Sequence, residues 1–99
     1  MNRNLIQNNE NCRNCPMVMG ISQTIESEFN NWSLTTAEKE VCRALLMGKS
    51  LRKISQERHT NEMTVRQQAF AVYAKAGMSG RHEISAYFLK RFFQITSDL

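Results

Sequence analysis

The sequence predicts an all-α fold, and three observations lead to that prediction. Apolar residues recur at steps of three and four along most of the chain, which is the spacing of one face of a helix. No stretch of useful length alternates apolar and polar residues as a half-buried strand does. The chain has 99 residues, of which 41% are hydrophobic, and this suffices for one small domain with a modest core.

Residues 1–33 are predicted to form an irregular arm followed by one short amphipathic helix. The arm is rich in asparagine, whose side chain competes for backbone hydrogen bonds and favours turns. The helix is indicated by five apolar residues at steps of three and four, which are Val18, Ile21, Ile25, Phe29 and Trp32. We expect this helix either to pack on the rest of the domain or to contact a partner, with Ile25 and Phe29 as the candidate contacts.

Residues 34–99 are predicted to form a second unit of four helices. Three side chains are suited to capping helix N-termini, and two glycines are suited to the left-handed turn that ends a helix. The capping residues are Thr35, which opens a capping box, Ser50 and Asn61; the glycines are Gly48 and Gly77. The fourth helix is expected to begin at Ser79 or Gly80 and to run to about Ile95.

The second and third of these helices, with a tight turn near residues 59–61, predict a helix-turn-helix. In the third helix Val65, Ala69 and Val72 fall on one face, which we expect to be buried. The opposite face then carries four side chains suited to contacting bases: Met63, Arg66, Gln67 and Phe70. Arginine can bind guanine, glutamine can bind adenine, and an apolar side chain can touch the methyl group of thymine. An ordinary solvated face is the alternative interpretation.

Positive charge is concentrated in the second unit. Residues 34–99 hold eleven Lys and Arg against six Asp and Glu, a net charge of +5, whereas residues 1–33 have a net charge of −1. No acidic residue occurs between Met63 and His82. This distribution favours a polyanionic partner, and nucleic acid before a membrane surface.

Several landmarks of the second unit resemble those of a known family. They are Leu34 to Val41 (LTTAEKEV), Gly48 to Ser50, Ile54, Thr64, Val65, Lys75 and Gly77. This pattern resembles the LuxR-type (GerE-like) DNA-binding domain of bacterial transcription regulators, without gaps from Leu34 to about Phe88. The resemblance implies a four-helix domain that binds two-fold-related sites on double-stranded DNA as a homodimer.

The resemblance also implies roles for individual residues. The helix at about 61–76 would lie in the major groove, and Arg66, Gln67 and Phe70 would stand where the family contacts bases. Phosphate contacts would come from Ser50, Thr64 and Lys75. Lys53 departs from the family, which usually carries Glu there, and adds either a further phosphate contact or a solvated side chain.

The fourth helix carries more apolar surface than one buried stripe needs. Ile84 and Phe88 belong to one line, and Leu89 and Phe93 form a second line on another side. The second line is expected to meet a second copy of the chain, as the last helix often does in the family, or to be covered by the N-terminal helix. A different interpretation is an interaction protein that uses a helix-turn-helix-like domain to bind and inhibit another regulator.

Two cysteines in the arm offer a further alternative. Cys12 and Cys15 have the C-x-x-C spacing of metal or redox sites. A zinc site or an iron–sulfur cluster needs four ligands, so a second copy, His59 or His82 would have to contribute. The pair therefore suggests a metal- or redox-responsive DNA-binding switch, against two thiols in a loose arm. Cys42 falls on a buried stripe and is expected to be a packing residue, and no other cofactor is expected.

Enzymatic and membrane functions are not expected. The sequence contains no nucleophile elbow, no H-E-x-x-H pair and no phosphate-binding glycine loop. The longest apolar run has six residues, at 69–74, far fewer than the roughly 18 that span a membrane. The first twenty residues lack the apolar stretch of a secretory signal, so we expect a cytoplasmic protein.

Overall fold

The computed structural model describes the backbone of residues 16–98 and the side chains of residues 20–94. Within this range the chain forms five helices and no strand, which confirms the all-α prediction. The helices are α1 (Pro16–Asn31), α2 (Thr36–Leu46), α3 (Leu51–Glu57), α4 (Glu62–Ala76) and α5 (Arg81–Asp98). No helix in the described range combines the length and the apolar character that crossing a bilayer requires.

Local sequence signals set most of the helix boundaries where they were predicted. The Thr35 hydroxyl accepts a hydrogen bond from the Glu38 backbone N–H at 3.2 Å, and the Glu38 carboxylate accepts one from the Thr35 N–H at 2.9 Å. Ser50 and Asn61 cap α3 and α4 in the same way. Gly77 ends α4 with a φ of 73°, which only glycine adopts without strain. The helix α5 was expected to stop near residue 95 and instead continues to 98.

Two buried clusters form the hydrophobic core. The smaller one lies among α2, α3 and α4 and consists of Val41, Leu45, Ile54, Val65 and Ala69. The larger one joins α1, α2, α4 and α5 and consists of Phe29, Leu34, Cys42, Val72, Ile84 and Phe88. The apolar stripe predicted for α4 is thus buried in both clusters, which confirms the inward orientation of this face.

The N-terminal helix α1 packs against α5 of the same chain. The rings of Phe29 and Phe88 pack edge to face with their centroids 6.1 Å apart, and the ring centroids of Trp32 and Tyr87 are 5.8 Å apart. Phe29 has no exposed surface, so it is a core residue and not a partner contact, which corrects the prediction made for it. Ile25 is half-buried and packs on the same cluster.

Polar side chains also attach α5 to the preceding helices. The Arg81 guanidinium donates to the backbone carbonyl of Leu45, at the end of α2, at 3.0 Å, and to that of Lys49. Farther along α5, Arg91 lies 3.7 Å from a Glu28 carboxylate oxygen on α1. Arg81 thereby adds a second donor to the Leu45 carbonyl, which also accepts from the Gly48 N–H at 3.0 Å, and a donor to the Lys49 carbonyl in the loop before α3.

Candidate nucleic-acid interface

The helices α3 and α4 are joined by a four-residue turn at 58–61. His59, within this turn, adopts a φ of 55°, which is a left-handed backbone conformation. The Thr60 N–H donates to the Ser55 carbonyl at 3.0 Å, and the Asn61 side chain accepts from the Thr64 N–H at 2.7 Å. These bonds fix where α4 begins relative to α3.

The four side chains predicted to contact bases lie together on the outward half of α4. Val65, Ala69 and Val72 are buried, and the helical period places the other four on the outer face or its flank. Met63 and Phe70 are 60% and 58% exposed, which is unusual for side chains of this size. Gln67 is also exposed, and Arg66 lies at the edge of the face. The outward face is therefore part apolar and part polar.

Arg66 is paired with an acidic residue one helical turn earlier. Its Nη2 lies 3.2 Å from the Glu62 Oε2, and both side chains are nearly half exposed. Exposed pairs at this spacing contribute little free energy, about 0.3–0.5 kcal/mol. The guanidinium can therefore leave Glu62 for a stronger anionic or bidentate acceptor at small cost.

Three of the four predicted phosphate contacts lie in the first turns of α3 and α4. The Ser50 Oγ accepts from the Lys53 N–H at 3.0 Å, and its hydroxyl proton remains available to another acceptor. The Lys53 Nζ lies 3.8 Å from a Glu57 oxygen and is well exposed. Thr64 is half-buried in the first turn of α4. Helix N-termini of this kind attract anions through their unpaired N–H groups and the helix dipole.

The fourth predicted phosphate contact, Lys75, lies apart from the others. Twelve residues separate it from Met63, which is about 18 Å along the helix axis. Its Nζ lies 2.7 Å from the Glu38 Oε1, whose side chain is only 12% exposed. Burial would raise the pKa of Glu38, but the hydrogen bonds from Lys75 and Thr35 hold it below its ordinary value. Lys75 therefore ties α4 to α2.

Most cations in the described residues face a carboxylate within 4 Å. These cations are Lys39, Arg43, Lys49, Lys53, Arg58, Arg66, Lys75 and Arg91. Arg52 and Lys90 have no such partner among residues 20–94. Sequence reasoning missed Arg52, although its place two residues after the Ser50 cap indicates the first turn of α3. It adds an unpaired cation to the end of α3 that also carries Ser50 and Lys53.

The second apolar line of α5 lies at the surface. Leu89 and Phe93 are 53% and 63% exposed and stand one helical turn apart. The helix α1 covers the other side of α5, around Phe88 and Tyr87. Ile25 of α1 packs on the cluster around Phe88, and the side chains of residues 16–19 of α1 lie outside the described range, so cover of this line by α1 stays an open alternative.

The cysteine predictions fall partly outside the described residues. Cys12 and Cys15 lie there, and within the part of the chain that the structure describes no three His, Cys, Asp or Glu side chains are grouped to hold a metal ion. Cys42 is fully buried, and this burial raises the pKa of its thiol to about 11. Cys42 is thus a packing residue, as expected.

No protein-family model, no curated protein and no solved structure matches the chain.

Proposed function

We propose that this chain is a sequence-specific DNA-binding transcription regulator of the LuxR type, with α4 in the major groove. The observation that carries the proposal is the division of α4 into two faces. One face is anchored by Val65, Ala69 and Val72, and the other presents hydrogen-bonding and apolar side chains to solvent. A major groove about 12 Å wide admits one helix presented in this way.

The ends of α3 and α4 supply the contacts that position the protein on the DNA backbone. Ser50, Arg52 and Lys53 lie in the first turn of α3 or at its cap, and Thr64 lies in the first turn of α4. Phosphate contacts of this kind fix register and orientation, whereas contacts from α4 to base edges specify sequence. Lys75 acts mainly through Glu38, by holding α4 against α2.

The regulator acts as a homodimer in this proposal. The outer line of α5, Leu89 and Phe93, is the contact between copies, since large apolar side chains aligned on one helix face gain free energy when they are buried. Two copies related by a two-fold axis present two α4 helices to DNA, so the operator is a pair of inverted half-sites.

The direct test is selection from a random duplex library at near-physiological salt. We expect enrichment of a two-fold-symmetric motif and an affinity that falls steeply with salt, because each neutralised phosphate releases counterions. Retention of no duplex by folded protein, or a flat salt response, contradicts the proposal.

Single substitutions then separate base contacts from backbone contacts. Gln67→Ala and Arg66→Ala are expected to lose about 1–3 kcal/mol of discrimination at particular base pairs. Gln23→Ala, an exposed glutamine on α1, is the matched control and should leave the motif unchanged. Uniform loss of affinity on every sequence would assign Arg66 and Gln67 to phosphate contact instead.

A second candidate function is inhibition of another regulator by direct binding. The observation in its favour is the combination of an exposed apolar line on α5 with cations that mostly face carboxylates. Stoichiometric binding to a purified regulator, together with no retention of duplex, supports this function.

The metal- or redox-responsive switch is tested by replacing Cys12 and Cys15 with Ser. Unchanged metal content and unchanged DNA affinity of this variant eliminate the switch.

A further inference from the structure

We propose that the outward face of α4 recognises the C5-methyl groups of thymine, at two positions about two or three base pairs apart in each half-site. This inference rests on the proposed DNA-binding function and names the bases that the interface reads. The groups responsible are Met63 and Phe70, with Gln67 between them.

The argument begins with the exposure of Met63 and Phe70. Met63 and Phe70 remain 60% and 58% exposed on one face of α4, and large apolar side chains grouped on one surface are typical of a contact site. Neither side chain can bond a phosphate oxygen or the guanine edge. Among the groups that bases present in the major groove, the thymine methyl is the apolar one.

The spacing along α4 gives the spacing along the DNA. Met63 and Phe70 are seven residues apart, which is two helical turns, so they share one face and lie about 10.5 Å apart along the axis. The rise of DNA is about 3.4 Å per base pair and the path along the inclined groove is longer, so two side chains on a helix lying in the groove reach bases separated by about two or three steps. Gln67 falls midway between them and has the donor and acceptor that pair with adenine.

The surroundings of this face suit DNA. Glu62, which pairs with Arg66 at 3.2 Å, is the single carboxylate on α4, and no acidic residue occurs between Met63 and His82. The Phe70 ring also rests against the half-buried Tyr73, with ring centroids 6.1 Å apart. This contact restricts the ring before DNA binds and lowers the entropy lost on binding.

Deoxyuridine provides the test, because it removes the C5-methyl group of thymine and leaves base pairing intact. Using the selected operator and the full-length chain, each thymine of a half-site is replaced in turn and the Kd is measured. Losing the burial of one methyl group is expected to weaken binding about fourfold, at two thymines about two or three steps apart. Replacing one such thymine in both half-sites is expected to weaken it about fifteenfold.

Matched variants assign each methyl group to a side chain. Phe70→Ala should bind the thymine and deoxyuridine operators equally at one position, and Met63→Ala should do so at the other. Met47→Ala, a methionine outside α4 that is 74% exposed, is the control and should retain the full effect of deoxyuridine. At the same positions, 5-methyldeoxycytidine should bind about fourfold more tightly than deoxycytidine, because it restores the methyl group.

The outcomes separate this inference from the function on which it rests. Salt-dependent binding to a defined motif, with no effect of deoxyuridine at any thymine, overturns the inference and leaves the DNA-binding function standing. Deoxyuridine effects that persist unchanged in both Met63→Ala and Phe70→Ala also overturn it. If the folded chain binds no duplex at all, both proposals fail, and the apolar face of α4 is then a protein contact.

Discussion

Replacement of Phe29 tests whether α1 is an obligatory part of the fold. The ring is fully buried, lies 6.3 Å from Trp32 and 6.1 Å from Phe88, and carries the Arg43 guanidinium 5.2 Å above it. Truncation of a buried Phe to Ala costs about 3–5 kcal/mol, through lost transfer free energy and the cavity that remains. At roughly 0.05–0.15 kcal/mol per residue, a chain of 99 residues has a total stability of about 5–15 kcal/mol. Phe29→Ala should therefore leave the fold marginal, and Phe29→Leu should cost about 1–2 kcal/mol.

The chain provides its own probe for this measurement. Trp32 is the single tryptophan and packs against Phe88 and Tyr87 at the α1–α5 contact. Urea unfolding followed by Trp fluorescence therefore reports on that contact, while circular dichroism reports on all helices. We expect the two urea transitions to coincide. In thermal unfolding, Phe29→Leu should lower Tm by about 5–15 °C.

Protein concentration distinguishes a core residue from a subunit contact. The loss caused by Phe29→Leu should be the same across a hundredfold range of concentration, because the ring packs within one chain. Leu89→Ala is the comparison, since a contact between copies loses more stability where the dimer is populated. Phe29 is not a core residue of one chain if Phe29→Ala changes the unfolding free energy by less than about 0.5 kcal/mol, or if its effect depends on concentration.

Two further predictions concern titratable groups. Lys75→Met should lower the unfolding free energy at pH 7 by about 1 kcal/mol. The pKa of Glu38 is held below its ordinary value of 4.5, so the stability difference between the two proteins should be present above pH 4.5 and disappear as the pH falls below 4.5 and Glu38 becomes protonated. Urea titrations at several pH values measure this difference. A stability difference that does not depend on pH contradicts the pairing. In a variant with Cys12 and Cys15 replaced by Ser, the buried Cys42 thiol, whose pKa is about 11, should react with a thiol reagent at pH 8 only as the domain unfolds. Reaction at the rate of a free cysteine refutes this.

Features that depend on a few neighbouring residues could be predicted from the sequence. The Thr35 capping box, the Asn61 cap and the Gly77 stop involve partners within four residues, so they are visible as spacing. The two faces of α4 follow from its period, and the outward positions of Met63 and Phe70 were predicted for that reason.

Contacts between distant segments could not be predicted in the same way. The partners in the Lys75–Glu38 pair are 37 residues apart, and no local pattern relates them. Phe29 shares one helical stripe with Ile25, and the period shows that the stripe is apolar without showing what covers it. The burial of Phe29 against Phe88 depends on how α1 packs on α5. The sequence leaves this packing open, because a partner could equally cover the apolar stripe of α1.

The bonds from Arg81 have a consequence for any attempt to shorten the chain. The Arg81 guanidinium, in the first turn of α5, donates hydrogen bonds to two backbone carbonyls, one at the end of α2 and one in the loop before α3. A fragment that stops after α4 would leave the Leu45 and Lys49 carbonyls without that donor and would expose the cluster around Val72. The smallest autonomous unit therefore extends beyond the two helices proposed to meet DNA, and residue 81 belongs with α2 and α3 when segments are exchanged between proteins.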